Sequence, residues 1–243
     1  MKKIVKFGFM LLFFLVIGIS LVCASDTDKI KSQFLKNFPN MQNQGIESVT
    51  LTDIKGLYEI VTSNNMIIYF YPEKNYMIFG EIWNTQGKSL TASKRNEILL
   101  KRVKNIDTKE AIKIGNGKKK VIEFFDPECP HCKNVYNVLK TNKDKITLYL
   151  YPVPFFGPKS EKKVKYMICM ENKEKALNDI FEKTSDELKL PESCNIDNEV
   201  LNQKRALAFK NGITGVPFLL IDGQLVMGGN IPQIEQLIND TKN

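Results

Sequence analysis

In Val121-Ile-Glu-Phe-Phe-Asp-Pro-Glu-Cys-Pro-His-Cys-Lys-Asn-Val-Tyr136, an apolar strand runs directly into two cysteines three positions apart and then into a helix. A cysteine at a helix start lies near unpaired backbone N–H groups and the positive end of the helix dipole, which favour the thiolate over the thiol. The spacing of Cys129 and Cys132 therefore predicts a redox dithiol, in which the Cys129 thiolate is the reactive species.

Half of a structural zinc site would have the same cysteine spacing, and this is the alternative for the motif. Such a site needs a second pair of ligands. The remaining cysteines, Cys23, Cys169 and Cys194, are widely separated, and the only histidine, His131, lies inside the motif. The sequence therefore predicts neither a bound metal nor any other cofactor.

The chain has 243 residues and a formal net charge of +8, and its length suits two modest domains better than one large domain. Its basic residues are almost all lysines interleaved with acids, and the arginines are only Arg95, Arg102 and Arg205. Phosphate recognition prefers clustered arginines with bidentate geometry. We therefore expect no nucleic-acid binding.

Residues 1–24 have the three-part pattern of an export signal. Three lysines lie among the first six residues, an apolar run covers residues 7–22, and Val22-Cys23-Ala24 has the small-x-small form of a cleavage site. Cleavage after Ala24 would leave four cysteines, an even number that suits an oxidising compartment. The alternative is an uncleaved membrane anchor that faces the same compartment, since the apolar run is almost long enough to span a bilayer.

Residues 25–84 are predicted to form a small α+β domain. A helix from residue 26 to about residue 40 precedes four segments with strand periodicity. The third of these is apolar on both faces, and so small a sheet has little core of its own, so an exposed edge or face would invite pairing with a second copy. We predict a dimerisation domain, with a self-contained subdomain as the alternative. The four segments are Ile46–Thr52, Leu57–Thr62, Met66–Tyr71 and Tyr76–Trp83.

Residues 85–116 are predicted to form a linker region, with a helix capped by Thr91 or Ser93 and ending near Asn105. The second domain, 117–243, alternates strands and helices in an order that predicts a parallel strand–helix–strand unit followed by a hairpin. We expect an α+β chain overall. After the dithiol helix, its predicted segments are a buried strand at Ile146–Val153, a helical insertion at Lys159–Gly212, the hairpin Thr214–Met227 and a closing helix at Ile231–Ile238.

This order of elements resembles a thioredoxin-fold domain, and the whole chain after the signal resembles the periplasmic disulfide isomerase family of DsbC and DsbG. The resemblance rests on the linker helix, the dithiol and several further matches. These are Tyr58-Glu-Ile-Val61, Tyr76-Met-Ile-Phe-Gly80, Tyr149-Leu-Tyr-Pro152, the pair Cys169 and Cys194, and Thr214-Gly-Val-Pro217.

The resemblance implies a V-shaped homodimer, joined through cystatin-like amino-terminal domains, with two active sites facing an apolar cleft. It implies isomerisation of incorrect disulfides in exported proteins, chaperone activity, and a membrane thiol reductase of the DsbD kind as partner. It also implies that Pro217 is cis and packs against Cys129, leaving the backbone of Val216 free to pair with substrate. The alternatives are a dedicated thiol oxidase and a non-catalytic chaperone.

Two features depart from the isomerase pattern and resemble the oxidase DsbA instead. One is the Pro130-His131 pair between the cysteines. Reduction potentials of the two kinds of enzyme differ by about 60 mV, or roughly 2.8 kcal/mol, and an imidazolium about 5 Å from a thiolate supplies about 3 kcal/mol. The other is Glu123, which a central strand would bury, raising its pKa and suiting it to relay protons for Cys132. The alternative is that Glu123 lies on a solvated edge.

Cys169 and Cys194 are predicted to form a structural disulfide that takes no part in turnover. Cys194 lies in Leu190-Pro-Glu-Ser-Cys-Asn195, a segment with few apolar anchors. Closing a loop of about 26 residues should contribute about 3.5 kcal/mol on the chain-entropy relation. The alternatives are two buried free cysteines or a second reactive pair.

Overall fold

The computed structural model describes residues 26–240, and the predicted signal lies outside these residues. The chain divides between Arg95 and Asn96 into two compact units. Within residues 26–240, no helix is both long enough and apolar enough to cross a membrane.

The first unit contains one helix and an antiparallel meander, as predicted. Helix α1 covers residues 26–37 and is followed by a short 3-10 helix, Pro39–Gln44. The four strands pair in the order β1-β2-β3-β4, and the core between helix and sheet is centred on Phe34 and Phe70, whose rings lie 5.3 Å apart. The strands are β1 Ile46–Leu51, β2 Tyr58–Thr62, β3 Ile67–Tyr71 and β4 Tyr76–Ile78, so β4 ends five residues earlier than predicted.

Both faces of β3 are covered within the first unit, so of the exposed edge or face expected for pairing, no open face lies on the third strand. Phe70 packs in the core on one face, and Tyr69 is buried on the other, with its hydroxyl 2.6 Å from the hydroxyl of Thr91. The exposed apolar side chains of the meander lie instead on and after the edge strand β4. They are Tyr76, Ile78 and Phe79, which are 61%, 45% and 56% exposed.

The predicted linker helix is present as α2, Leu90–Val103, but its cap was assigned wrongly. Ser89 provides the cap, since its hydroxyl accepts a hydrogen bond of 2.9 Å from the backbone N–H of Ala92. The hydroxyl of Thr91 instead accepts from the backbone N–H of Ile82 at 2.9 Å. The prediction of Thr91 as a cap was wrong because its hydroxyl bonds to the loop at Ile82, a contact that the local sequence does not indicate.

The second unit is built on a five-stranded sheet in the order β5-β7-β6-β8-β9. The central strand β6 pairs in parallel with β7 and antiparallel with β8, as the strand–helix–strand and hairpin predictions require. Asp222 and Gly223 form the tight turn between β8 and β9 with φ values of 44° and 81°, as in a type I′ turn. The strands are β5 Ile112–Ile114, β6 Lys119–Phe125, β7 Ile146–Pro152, β8 Phe218–Ile221 and β9 Gln224–Met227.

The helices of the second unit follow the predicted order. Helix α3 joins β6 to β7, three helices form the insertion between β7 and β8, and the last helix closes the chain. Phe209, on the third helix of the insertion, is exposed. The helices are α3 Pro130–Thr141, α4 Pro158–Cys169, α5 Lys173–Glu182, α6 Asn198–Lys210 and α7 Ile231–Asn239.

The alternation of side chains along β6 determines which of its residues lie on the same face of the sheet as Cys132. Ile122 and Phe124 point to one face of the sheet, where Phe124 stacks on Tyr151 with ring centroids 4.5 Å apart. Val121 and Phe125 point to the other face, into the core that contains Cys132. Since Glu123 lies between Val121 and Phe125 at the same period of two, it shares that face.

Candidate active site

Cys129 is the residue that precedes the first turn of α3. Its backbone is extended, with φ −79° and ψ 119°, and Pro130 follows as the first helical residue. The Cys129 side chain is 4% exposed, and its sulfur lies 3.7 Å from the carbonyl oxygen of Val216. The reactive sulfur predicted from the sequence therefore sits at a helix start and against the loop that precedes β8.

Cys132 lies one turn into α3 and is fully buried in the core of the second unit. Burial raises the pKa of its thiol strongly, and the Glu123 carboxyl group, when it is ionised, raises it further. A hydrogen bond from the backbone N–H of Asp126 opposes these two effects only in part. Cys132 is therefore held as a protonated thiol and must lose its proton to react.

Glu123 is buried in the middle of the central strand, where it is 4% exposed. The alternative of a solvated edge position is wrong. Loss of hydration raises the pKa of its carboxyl group from 4.5 to about 8. Within residues 26–240, no side chain or backbone group hydrogen-bonds to this carboxyl group. A buried acid that is mostly protonated near neutral pH thus lies next to the buried thiol of Cys132.

The Val216–Pro217 peptide bond is cis, as predicted. The carbonyl oxygen of Pro217 accepts a hydrogen bond of 3.2 Å from Gly228, and the neighbouring Gly229 leaves little room, since a Cβ there would lie 3.3 Å from the proline ring. These contacts fix the loop of Val216 beside Cys129.

His131 and Pro130 are both exposed in the first turn of α3. They lie on the outer side of the dithiol, whereas Glu123 and Cys132 lie on its inner side. The residues predicted for the site therefore come together as two layers around Cys129, one open to solvent and one buried.

Asp126 belongs to the site but was not recognised from the sequence. It is fully buried, and its carboxylate accepts hydrogen bonds from the backbone N–H groups of Glu128 at 2.7 Å, Phe155 at 2.6 Å and Phe156 at 3.0 Å, and from the hydroxyl of Ser160 at 2.6 Å. It thus fixes the turn before Cys129 to the loop after β7. The only local signal was the Asp-Pro sequence, typical of a side-chain turn; the other partners are 29 to 34 residues away.

A second contact that the sequence did not reveal holds the same turn. The ammonium group of Lys163, on α4, lies 2.7 Å from the carboxylate of Glu128, and the Lys163 side chain is only 7% exposed. The residue immediately before Cys129 is therefore tied to the helical insertion.

Cys169 and Cys194 form a disulfide with their α-carbons 5.5 Å apart, as predicted, while Cys129 and Cys132 are free thiols. The alternatives of free or reactive thiols at Cys169 and Cys194 require this bridge to open. In the described part of the chain, no three or more His, Cys, Asp or Glu side chains are grouped as metal ligands.

The chain matches models of two known protein families. Residues 106–241, more than half of the chain, match the thioredoxin-like domain model. The chain belongs to the thioredoxin-like family. Residues 22–92, ahead of the thioredoxin-like domain, match the model of the disulfide bond isomerase protein N-terminal domain. A thioredoxin-like domain preceded by an isomerase-type domain, with a free dithiol at a helix start, makes the chain a thiol:disulfide oxidoreductase of the DsbC type.

Proteins similar to this thioredoxin-like chain are named as thiol:disulfide interchange proteins. The probable thiol:disulfide interchange protein DsbC of Bordetella avium is 26% identical over 227 residues, which cover 89% of this chain and 76% of that protein. The protein of the same name in Bordetella pertussis is 24% identical over 162 residues, covering 63% of this chain and 53% of that protein. This match thus spans about half of the length of the Bordetella pertussis protein.

Solved structures similar to this chain include a disulfide interchange protein from Neisseria gonorrhoeae and DsbG from Helicobacter pylori. The first is 29% identical, with a TM-score of 0.45, and covers 55% of this chain and 96% of that chain. The second is 20% identical, with a TM-score of 0.38, and covers 78% of this chain and 99% of that chain.

Proposed function

We propose that this protein isomerises disulfide bonds in exported proteins through the dithiol of Cys129 and Cys132. The observation that carries the proposal is the unequal environment of the two thiols. Cys129 lies at a helix start beside an exposed turn, whereas Cys132 is fully buried with a raised pKa. One sulfur is therefore placed to attack, and the other to react only with a disulfide already formed on its neighbour.

In the first step, the Cys129 thiolate attacks one sulfur of a substrate disulfide. The new bond joins Cys129 to the substrate, the substrate disulfide breaks, and its second sulfur leaves as a thiolate. If that thiolate or another substrate thiol then attacks the mixed disulfide, Cys129 is released unchanged and the substrate is isomerised. If Cys132 attacks instead, the enzyme is oxidised and the substrate is released with two thiols.

Glu123 is proposed to serve the second route as a proton relay. The Cys132 thiol must lose its proton as it attacks, and the carboxylate form of Glu123, which lies beside it, can accept that proton. With its pKa raised to about 8, Glu123 is a strong enough base to accept this proton and can return it when the dithiol is restored.

The backbone of Val216 is proposed to hold the substrate next to Cys129. Its carbonyl oxygen faces the reactive sulfur at 3.7 Å, so a peptide that pairs with this loop would bring its own cysteine to the same place. Phe156 is 59% exposed in the loop that Asp126 ties to the active-site turn, and it supplies an apolar contact for such a peptide.

Isomerase and oxidase activity are separated by two refolding assays. An isomerase restores scrambled ribonuclease, whose disulfides are already formed, whereas a dedicated oxidase accelerates only the refolding of reduced ribonuclease. We expect the protein to rescue the scrambled form in catalytic amounts. Rescue of the reduced form alone would favour the oxidase, and a lack of both activities with suppressed aggregation would favour the non-catalytic chaperone.

The oxidase remains the second candidate because of the Pro130-His131 pair. His131 is exposed in the first turn of the dithiol helix, where a positive charge would stabilise the reduced form and make the couple more oxidising. We therefore expect His131→Ala to make the couple more reducing, as measured by equilibration with glutathione. An unchanged potential would remove the argument for an oxidase.

The protein is proposed to work as a homodimer joined through the first unit. The support is the edge strand β4, which has one free side in the four-stranded sheet and carries exposed apolar residues. Light scattering should give twice the chain mass, and Ile78→Lys should reduce it to that of one chain. Leu190→Lys, at an exposed apolar residue of the second unit, is the control that should stay dimeric. A wild-type monomer would contradict the proposal.

The proposed location is the periplasm, with a membrane thiol reductase of the DsbD kind as the partner that keeps the dithiol reduced. Alkylation of the protein as isolated from cells reports the redox state of Cys129. A mostly reduced dithiol supports the isomerase and a reducing partner, while a mostly oxidised dithiol supports the oxidase.

A further inference from the structure

A cavity of about 260 Å³ lies in the second unit behind the dithiol helix. Its walls are mainly apolar, and their apolar side chains include Ile114 on β5, Leu139 on α3, Leu148 on β7, and Leu177 and Phe181 on α5. The volume lies just below the range of typical small-molecule sites, so the cavity suits a fragment-sized ligand rather than a peptide.

Glu123 is the buried polar group that lines this cavity. The cavity has an exposed end and a buried end. Lys140, Lys143 and Glu174 line it and are exposed, whereas Glu123 is buried. Glu123 therefore marks the deep end. No group of the described chain hydrogen-bonds to this carboxyl group, and its place on the cavity wall leaves it open to hydrogen bonds from a molecule in the cavity.

The remaining polar groups of the wall already have partners. The hydroxyl of Tyr136 donates to the side-chain oxygen of Asn178. At the mouth, Lys143 lies 3.3 Å from Glu174, and both side chains are well exposed. An exposed ion pair of this kind stabilises little, so it does not hold the mouth closed.

We propose that this cavity is a binding site for small apolar molecules that carry one primary carboxamide. The apolar body would fill the space between Leu177, Phe181 and Ile114. The carboxamide would meet the carboxylic acid of Glu123, since the acid offers one donor and one acceptor and the amide offers the complementary pair. Two hydrogen bonds would then close a ring between ligand and protein at the deep end.

The protonated form of Glu123 is the form that fits, since a carboxylate has no donor for the amide oxygen. The titratable groups that face Glu123 or the cavity are Cys132, Tyr136 and Lys140 on α3, Lys143 after α3, and Glu174 on α5. A variant that changes Glu123 alone separates its contribution from theirs.

The test uses the full protein and benzamide as the probe, with binding measured by calorimetry or ligand-observed NMR. We expect a Kd of about 1 mM at pH 7, in keeping with a ligand of this size. Because Glu123 loses its proton with a pKa of about 8, binding should weaken about tenfold between pH 7 and pH 9. Toluene, which keeps the apolar body and lacks the amide, should show no such pH dependence.

Two variants serve as controls. Glu123→Gln keeps both hydrogen bonds and should bind benzamide within about threefold of the wild type, but without the pH dependence. Glu123→Leu keeps an apolar cavity and should bind at least about tenfold more weakly. A wild-type Kd that does not change between pH 7 and pH 9, equal binding by Glu123→Leu, or a lack of saturable binding would each overturn the site. Binding is measured without turnover, so such a failure leaves the proposed dithiol function untouched.

Discussion

The two cysteine pairs of the second unit are held by the chain in opposite ways. Cys129 and Cys132 lie within one turn of α3 and are free, while Cys169 and Cys194 are 25 residues apart and bonded. The first pair adjoins a buried acid and the loop with the cis peptide bond of Pro217, whereas the second joins the end of α4 to a segment outside any helix or strand. Reactivity thus follows from the surroundings of a pair, since both pairs consist of the same residue type.

Replacing the attacking sulfur should have the largest effect on activity and should distinguish the first cysteine pair from the second. Cys129→Ser should lower insulin reduction at least about 1000-fold, because the hydroxyl cannot form the mixed disulfide. The melting temperature should change little. The measurement is turbidity of insulin with dithiothreitol, and activity within tenfold of the wild type would show that another thiol attacks.

Loosening the turn that holds Cys129 should have the next largest effect. Asp126→Asn turns one carboxylate oxygen into a donor. The remaining oxygen can accept either from Phe155 and Phe156 or from Glu128, so at least one backbone N–H loses its acceptor. We expect a loss of about 2 to 4 kcal/mol in the free energy of unfolding and a roughly 10- to 100-fold lower insulin reduction rate. Asp144→Asn, at an exposed acid after α3, is the matched control and should leave both quantities unchanged.

Removing the proposed proton acceptor should have a smaller effect. Glu123→Gln should slow the attack of Cys132 about tenfold near neutral pH. The wild-type rate should rise with pH up to about 8, following the Glu123 carboxyl group, and the variant should lack this rise. Single-turnover release of a mixed disulfide, measured from pH 6 to pH 9, gives the profile. Identical profiles would exclude Glu123 from proton transfer.

The same variant tests the burial of Glu123 through stability. The folded protein keeps a proton on Glu123 that the unfolded chain releases above about pH 4.5, so the free energy of unfolding should fall as pH rises from 4.5 to about 8. Glu123→Gln removes this loss. The variant should therefore be more stable than the wild type by a few kcal/mol at pH 8, and nearly equal to it at pH 4. Urea unfolding at the two pH values measures the difference.

The second cysteine pair should give the smallest change in activity. Replacing Cys169 and Cys194 together by alanine should cost about 3.5 kcal/mol in the free energy of unfolding, since the bridge closes a loop of about 26 residues. Insulin reduction below the lowered melting temperature should stay within about twofold of the wild type. A complete loss of activity in folded protein would place this pair in the electron path.

The sequence predicted those features whose signals are local. The dithiol, the burial of Glu123 and the hairpin turn at Asp222 each follow from a few neighbouring residues. The links of Asp126 to Phe155 and Ser160 could not be predicted, because they join segments whose distance depends on how β7 and α4 pack. The covered face of β3 was missed for the same reason, since Thr91 reaches it from another element.

Cys129 is proposed to attack first, while Cys132 stays protonated in the core, and alkylation tests this difference most directly. The fully reduced thiols of the native protein are treated with iodoacetamide at pH 7 for increasing times, and the labelled peptides are quantified by mass spectrometry. We expect rapid labelling of Cys129, which lies at the helix start beside the exposed Pro130 and His131, and labelling of Cys132 at least about 100-fold more slowly, because its thiol is protonated and lies in the core. Equal rates at the two cysteines, or faster labelling of Cys132, would contradict it.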